Sequence, residues 1–350
     1  MAAVSAAGYV AAIPKVELHV HLEGSMSPRT VFELARRNGV ALPADGPEQL
    51  ESWLQLTGSH SIFGVFSLMC LCLKDASDFE LATYEFGAGM ARQNIRYAEV
   101  HFSVALHAVR GVDFDKSFAG LSRGRDRVIK DFGVEIAWIF AVMRGSGFDA
   151  DSRTRAADYA VSAAIEGKNG GVVAVGLGGA EFEGDIAAFA PHFGRAREAG
   201  LHVVPHAGEF AGPSNVRAAL DVLGAERIAH GVRAAEDPEL VHRLASAQVC
   251  LDLCPSSNVR LGLYPSYDSH PIAKLREAGV PVSVSTDDPG IFGLDLNGEI
   301  QQALDHTALD ADALESVQLD AIKHSFVPSA RKLELEAQFR AEFERLRQSD

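Results

Sequence analysis

The strongest constraint on the fold of this chain is a repeated order of segments, in which a helical pattern ends at a glycine and a short apolar run follows. Gly200, Gly224 and Gly279 stand at this junction, where a helix C-cap favours glycine. The apolar runs are hydrophobic at nearly every position, as is typical of strands buried on both faces of a parallel sheet. Eight such runs can be counted, at 16–22, 95–103, 134–143, 172–178, 201–207, 227–231, 249–255 and 280–286.

Eight strands alternating with helices predict an α/β fold, a (β/α)8 TIM barrel, because parallel strands joined by right-handed crossovers close into a barrel at that number. The alternative is a doubly wound open sheet. That fold would usually place a glycine-rich phosphate loop after the first strand, and the sequence HLEGS at 21–25 does not match one. The barrel is therefore the favoured prediction.

We expect residues 1–350 to form a single barrel domain, since α/β barrels commonly run to about 250 residues or more as one unit. The first two strands are too far apart for one helix, which predicts extra helices inserted after the first strand at about 46–92. Within them, SIFGVFSLMCLCL is either a buried helix or a lid that places Phe63 and Phe66 over the barrel mouth. The charged amphipathic segment at about 330–347 predicts a C-terminal packing helix.

Composition restricts the classes of partner. The chain has 32 Lys and Arg against 47 Asp and Glu, a net charge of −15, and no visible basic stripe, so a nucleic-acid partner is not expected. No apolar run approaches the roughly 20 residues of a membrane span. Four cysteines without a C-x-x-C pair, and a start without a signal-peptide pattern, favour a cytoplasmic location. A small neutral or cationic ligand fits best, and a homo-oligomer is left open.

Polar side chains cluster where the predicted strands end. Catalytic groups of such barrels gather at the C-terminal ends of the strands, so these residues are expected to share one rim. His19 and His21 alternate along the first strand and therefore point to the same side. The other strand ends that carry polar residues are the fifth (His206 and Glu209), the sixth (His230) and the eighth (Asp287 and Asp288).

The chemistry of this set favours a catalytic metal. Three histidines and a carboxylate are donors suited to zinc, and an open position for water distinguishes a catalytic zinc from a structural one. Glu209 and His230 could then move protons, and Asp288 could orient water or a substrate nitrogen. Taken singly, each residue has a simpler explanation, such as a strand end, a turn or a helix N-terminus. Chance does not readily explain why four separate strand ends all carry residues suited to one metal site.

The segments HVHLEG, PHAGE, RIAHG, CPSSN and STDDP, in this order, resemble the adenosine and adenine deaminase family of the amidohydrolase superfamily over about residues 13–300. The resemblance implies one zinc per chain, bound by His19, His21, His206 and Asp287. It implies that Glu209 protonates purine N1 and that His230 holds or deprotonates the attacking water.

The resemblance also implies contacts with a small-molecule purine. Asp288 would contact the attacking water and N7, and the backbone of Gly179, in VGLGGAE, would meet N3. His21 and Glu23 are further expected substrate-binding residues. Hydroxide would add to C6, a tetrahedral intermediate would form and ammonia would leave.

Two departures from the family pattern concern the choice of substrate. Adenosine deaminases carry HLDG at the first motif, where this chain has HLEG with Glu23. They carry DLAGDE at the second, where this chain has GLGGAE. The expected function is deamination of an adenosine-type nucleoside; the alternatives are aminodeoxyfutalosine and free adenine. A catalytically silent purine-binding barrel is less favoured, because Glu209, His230 and Asp288 are all present beside the metal set. His101, which ends the second strand, could help to shape the substrate pocket.

Overall fold

The structure is a computed structural model that describes residues 6–55, 62–145, 149–183, 185–307 and 310–348. The strands are β1 (Lys15–His21), β2 (Ile95–Phe102), β3 (Glu135–Met143), β4 (Val172–Gly178), β5 (His202–Val203), β6 (His206–Ala207), β7 (Arg227–His230), β8 (Cys250–Leu253) and β9 (Val282–Val284). The strand pairs are all parallel, in the orders β1-β2-β3-β4-β5 and β6-β7-β8-β9. The predicted α/β barrel architecture is confirmed.

The fifth predicted strand differs from expectation, because it divides into β5 and β6 around Pro205. Proline has no N–H to donate to a ladder. Val204 still donates to the carbonyl of Val175 on β4 at 3.0 Å, and the carbonyl of Pro205 accepts from Ala229 on β7 at 3.0 Å. The segment thus passes from one sheet to the other within two residues.

The opposite seam lies between β1 and the segment after β9. His21 donates its backbone N–H to the carbonyl of Asp287 at 2.8 Å, and the N–H of Asp287 donates to the carbonyl of His19 at 3.1 Å. A parallel bridge pairs Val20 with Asp287. These bonds hold two of the predicted site segments side by side.

Helices follow or precede every strand. They are α1 (Ala6–Ala12), α2 (Leu22–Ser25), α3 (Pro28–Asn38), α4 (Pro47–Gln55), α5 (Ile62–Leu71), α6 (Ala76–Arg92), α7 (Val104–Ala108), α8 (Phe114–Phe132), α9 (Ala150–Gly167), α10 (Ala190–Glu198), α11 (Pro213–Ala218), α12 (Pro238–Ala247), α13 (Pro255–Arg260), α14 (Ile272–Glu277), α15 (Pro289–Phe292), α16 (Leu296–His306), α17 (Ala311–His324) and α18 (Ser329–Gln348). Five of them, α2 to α6, lie between β1 and β2. Part of the predicted 46–92 insertion, residues 56–61, lies outside the described residues.

Local sequence signals explain the long outer helices. The side chain of Asp113 accepts the N–H of Lys116 at the start of α8, and Gly133, with φ +68°, ends that helix in the left-handed conformation. Such N-caps and glycine C-caps satisfy the backbone groups that a helix end leaves unpaired. At the C-terminus, α18 buries Leu335, Phe339 and Phe343.

Strand interiors carry one buried ion network below the rim. The guanidinium of Arg227 donates to Glu99 and to Asp252, each at 2.6 Å, and to the backbone carbonyl of His324 at 2.9 Å. The Arg227 side chain also lies 4.4 Å from the centre of the Phe326 ring. Three strands, the end of α17 and the residues that follow it therefore meet at one buried cation. In the described segments, no helix is both long and apolar enough to cross a bilayer.

Candidate active site

The structure brings the predicted metal ligands to one point at the C-terminal rim of the barrel. The donor atoms of His19, His21, His206 and Asp287 all lie within 4.8 Å of one another, and all four residues are buried. Nε2 of His19 and Nε2 of His21 each lie 3.3 Å from Oδ1 of Asp287. Nε2 of His21 lies 3.3 Å from Nε2 of His206. The set offers three nitrogens and one oxygen.

Backbone conformation at two of these strand ends is unusual. His230 has φ +61° and Asp287 has φ +63°, in the left-handed region that residues with a Cβ rarely adopt. Such backbone costs about 1 kcal/mol or more and is found where the surrounding structure fixes a functional side chain. The donor atoms of His230 and Asp287 lie within 4.8 Å of each other and of a carboxylate oxygen of Glu209. Ser257 adds a further restraint, because its hydroxyl donates to Oδ2 of Asp287 at 2.7 Å.

Glu209 and His230, the predicted proton-transfer residues, lie beside the predicted metal ligands. Nε2 of His230 is 3.6 Å from Oε2 of Glu209 and 3.9 Å from Oδ2 of Asp287. Burial, followed by the nearby carboxylates of Asp287 and Glu181, raises the pKa of Glu209 well above its usual range. Burial lowers the pKa of His230. Burial therefore favours the protonated form of Glu209 and the neutral form of His230, which are the forms that a proton donor and a base require.

Asp288 lies next to Gly24 at the same rim. A side chain at Gly24 would begin 1.6 Å from Oδ1 of Asp288, so only glycine allows the two segments to approach so closely. Burial raises the pKa of Asp288 well above its usual range, with a further contribution from Asp287. Within the described part of the chain, Oδ1 of Asp288 has no hydrogen-bond partner.

The residues present fit a divalent metal. Nε2 of His19 is buried and faces the other donors, and although Oδ1 of Asp287 lies 3.3 Å away, it makes no hydrogen bond within the described residues. Burial opposes a charge on His21, but the carboxylates of Asp287 and Asp288 raise its pKa to about 9. The two carboxylates therefore favour a positive charge beside them, which a metal ion would supply while His21 stays a neutral ligand. Three imidazoles with one carboxylate are the donor chemistry of catalytic zinc sites.

Glu23 and Gly179, the other predicted substrate contacts, are placed differently. Gly179 follows β4 with φ +89° and lines the pocket above the metal set. Glu23 is fully buried and is not part of the pocket lining. Its Oε1 accepts the N–H of Ser103 at 2.9 Å and lies 3.1 Å from Nε2 of His107. The structure thus sets Glu23 behind His21 and Ser103, which do line the pocket.

Helix α5 covers one side of the pocket, in the position predicted for a lid. Phe66 packs edge-to-face on His21, with ring centres 5.7 Å apart. Phe63 lies 6.5 Å from Phe210, whose ring is 6.1 Å from that of Phe182. The other lining residues are His21, Ile62, Ser103, Ala141, Met143, Gly178, Gly179, His206, Glu209, His230, Leu261, Asp287 and Asp288.

Sequence reasoning assigned no role to Glu181 or Ser257, although both lie in quoted motifs. Glu181 follows the end of β4, so the rule that located the other strand-end residues would have found it. The hydroxyl of Ser257 carries no pattern of its own, and only its contact with Asp287 reveals it. His101 packs with its ring centre 4.8 Å from that of His19, beneath the pocket lining rather than within it.

With this geometry established, comparison with known proteins defines the class. The family model of adenosine deaminase matches residues 14–341. This chain therefore belongs to the adenosine deaminase family. The relatives described in the next paragraph are named as aminopurine deaminases. This chain is a hydrolytic deaminase that acts on an aminopurine.

Individual relatives are similar along nearly the whole chain. An aminodeoxyfutalosine deaminase of Streptomyces coelicolor is 36% identical over 324 residues, which cover 93% of this chain and 83% of the relative. An adenine deaminase of Cupriavidus necator is 34% identical over 325 residues, covering 93% and 91%. The crystal structure of an adenine deaminase from Arthrobacter aurescens matches with a TM-score of 0.88 at 31% identity, covering 95% of this chain and all of that one.

Proposed function

We propose that the protein is a zinc-dependent deaminase that hydrolyses the 6-amino group of an adenosine-type nucleoside. The observation that carries this proposal is the shared carboxylate of Asp287. It belongs both to the four-donor group and to the group with Glu209 and His230, so a metal and both proton-transfer groups would act at neighbouring atoms of the substrate, C6 and N1. We assign the zinc to His19, His21, His206 and Asp287, with one ion per chain. When bound, the ion would lower the pKa of water toward about 7 and make hydroxide available.

The remaining roles follow from charge and position. Glu209, protonated by burial, would donate to purine N1 and make C6 more electrophilic. His230, a neutral base, would take the proton of the water that adds to C6. Asp288 would hold that water and N7, and the backbone of Gly179 would meet N3. The proton taken by His230 would pass to the amino nitrogen, the C6–N bond would break and ammonia would leave. C6 would keep the oxygen as a carbonyl, N1 would keep the proton from Glu209, and the remaining hydroxyl proton would return to Glu209.

The pocket mouth supports a substrate larger than the base. Phe63 and Phe182 are exposed by 36% and 73%, and both rings approach Phe210 at the rim. An apolar rim of this kind is expected to contact a group attached to N9. The relatives named aminodeoxyfutalosine deaminase support a nucleoside with a modified 5′ side as one member of this class.

Free adenine is the second candidate. A relative named adenine deaminase is 34% identical to this chain, and Glu23 is the position at which this chain departs from the HLDG motif that adenosine deaminases carry. Because Glu23 stands behind the lining, we propose that it acts on substrate choice through His21 and Ser103.

A substrate panel tests these proposals. The purified, zinc-loaded protein is given adenosine, 2′-deoxyadenosine, 5′-substituted adenosines, aminodeoxyfutalosine, adenine and N6-methyladenosine, and ammonia release is measured with the ultraviolet shift. We expect the highest kcat/KM on a nucleoside. A higher value on adenine would move the proposal to the second candidate, and zinc binding without turnover of any member would overturn both.

A further inference from the structure

The loop that carries Glu209 closes around a second buried carboxylate, that of Glu181. Oε1 of Glu181 accepts the N–H of Gly208 at 2.7 Å. Its Oε2 accepts the N–H groups of Glu209 at 2.9 Å, Phe210 at 2.5 Å and Ala211 at 2.8 Å. Four consecutive backbone donors therefore converge on one side chain, which is only 5% exposed.

Such a ring of N–H groups is an anion-binding nest, and it forms where a residue in the left-handed region interrupts the chain. Gly208 supplies that residue, with φ +72°. A side chain there would also begin 2.4 Å from Cγ2 of Val216, so the turn is tightly enclosed. Without an anion inside, four N–H dipoles pointing at one another would repel. The conformation of residues 208–211 thus depends on the Glu181 carboxylate.

We infer that Glu181 is a positioning residue for Glu209, fixing the backbone from which the proton donor reaches the substrate. The inference rests on the proposed function, in which Glu209 donates to purine N1. Glu181 itself does not line the pocket, whereas Glu209, Phe210 and His206 do. Besides the effect of its charge on the pKa of Glu209, its contacts reach the reaction through the backbone of the loop.

The neighbourhood supports a local rather than a global role. Arg144 is 1% exposed and donates to the carbonyl of His206 at 2.6 Å, so a buried cation stands at the entrance to the same loop. Arg144 directly follows β3 and donates its N–H to the carbonyl of Gly178, the last residue of β4, at 2.9 Å. Glu181 lies in the turn that begins three residues after Gly178, so its carboxylate is held close to paired strand ends while it binds residues 208–211.

Glu181→Gln is the direct test, because an amide keeps the size but offers one oxygen and turns an N–H group toward the nest. We expect kcat to fall about a hundredfold, within the range of a lost general acid, while KM changes little and zinc content stays at the wild-type value. Hydrogen exchange of the 208–211 amides should accelerate in Glu181→Gln. The matched control is Glu183→Gln, an exposed acid two residues along the chain, which should leave both readouts unchanged.

A double-mutant cycle separates positioning from general damage. If Glu181 acts through Glu209, the variant that combines Glu181→Gln with Glu209→Gln should be no slower than Glu209→Gln alone. Multiplicative losses in the double variant, or wild-type exchange of the 208–211 amides in Glu181→Gln, would overturn the inference. Full activity of Glu209→Gln would instead overturn the proposed proton donor, so the two failures are distinguishable.

Discussion

The hydroxyl of Ser257 shows how much the candidate metal set depends on residues that do not bind the metal. It donates to Oδ2 of Asp287 at 2.7 Å, which leaves Oδ1 facing His19 and His21. Partners of this kind orient ligands, and their loss typically weakens metal binding about 10-fold to 100-fold.

Ser257→Ala should therefore weaken zinc binding by about 10-fold to 100-fold, because Asp287 loses the bond that fixes its orientation. Competition with a chelator of known affinity measures the change. The neighbouring Ser256 is a matched control, since its hydroxyl lies 3.0 Å from that of Tyr267 instead. Equal affinity of the Ser257→Ala and wild-type proteins would show that Asp287 is not a ligand.

Glu209→Gln should reduce kcat by about a hundredfold or more while zinc content is retained, because the variant loses the proton donor and keeps the four donors. Steady-state kinetics and metal analysis of the same sample make the comparison. Since burial raises the pKa of Glu209, wild-type activity should fall on the alkaline side as the proton is lost. The alkaline fall should be absent from the pH profile of the residual activity of Glu209→Gln.

At the scale of elements, helix α16 carries a buried acid that the proposed reaction does not use. Glu299 accepts the N–H of Ser256 at 2.8 Å, and burial raises its pKa to about 7. An acid whose pKa is higher in the folded state stays protonated there while the unfolded chain ionises. Stability is therefore lost as pH rises from the unfolded pKa, near 4.5, to the folded one.

Glu299→Gln should remove this loss while keeping the bond to Ser256. Relative to wild type, the unfolding free energy of the variant should rise by about 2.5 kcal/mol between pH 5 and pH 8, because each unit of pKa shift corresponds to about 1.36 kcal/mol and a small part of the loss has already occurred at pH 5. Urea unfolding at both pH values gives the difference. A constant difference between the two proteins would show that Glu299 titrates normally.

Element order was predictable from sequence, whereas local register and pairing were not. The apolar runs and glycine caps predicted the parallel strands, because buried strands and helix ends have strong local preferences. The division of the fifth strand at Pro205 depends on the backbone partners of Val204 and Pro205, which lie on different neighbouring strands. No local sequence pattern predicts those partners. Likewise the sequence predicted Glu23 as a substrate contact, whereas in the structure its carboxylate binds Ser103 and His107 outside the pocket lining.

For the whole molecule, the buried Arg227 network is the feature that ties strands to the C-terminal helices. Its guanidinium is 1% exposed on the side chain, and both partner carboxylates, Glu99 and Asp252, are fully buried. Removing one member of such a network leaves uncompensated charge in the interior, which costs about 3–5 kcal/mol.

Arg227→Met should therefore lower the unfolding free energy by about 3–5 kcal/mol, measured by urea unfolding at neutral pH. Arg243 provides the contrast, since its pair with Asp221 lies at the surface with side chains 39% and 56% exposed. Arg243→Met should cost less than about 1 kcal/mol. Similar losses in the two variants would contradict the idea that the buried network anchors the barrel.

The central claim is that this barrel uses one bound zinc to release ammonia from a 6-aminopurine. The most direct measurement follows ammonia release from the preferred nucleoside by the same sample before chelation, after chelation and after zinc is restored. We expect activity to disappear with the metal and to return at about one zinc per chain. Unchanged ammonia release from protein shown to be free of metal would contradict the claim.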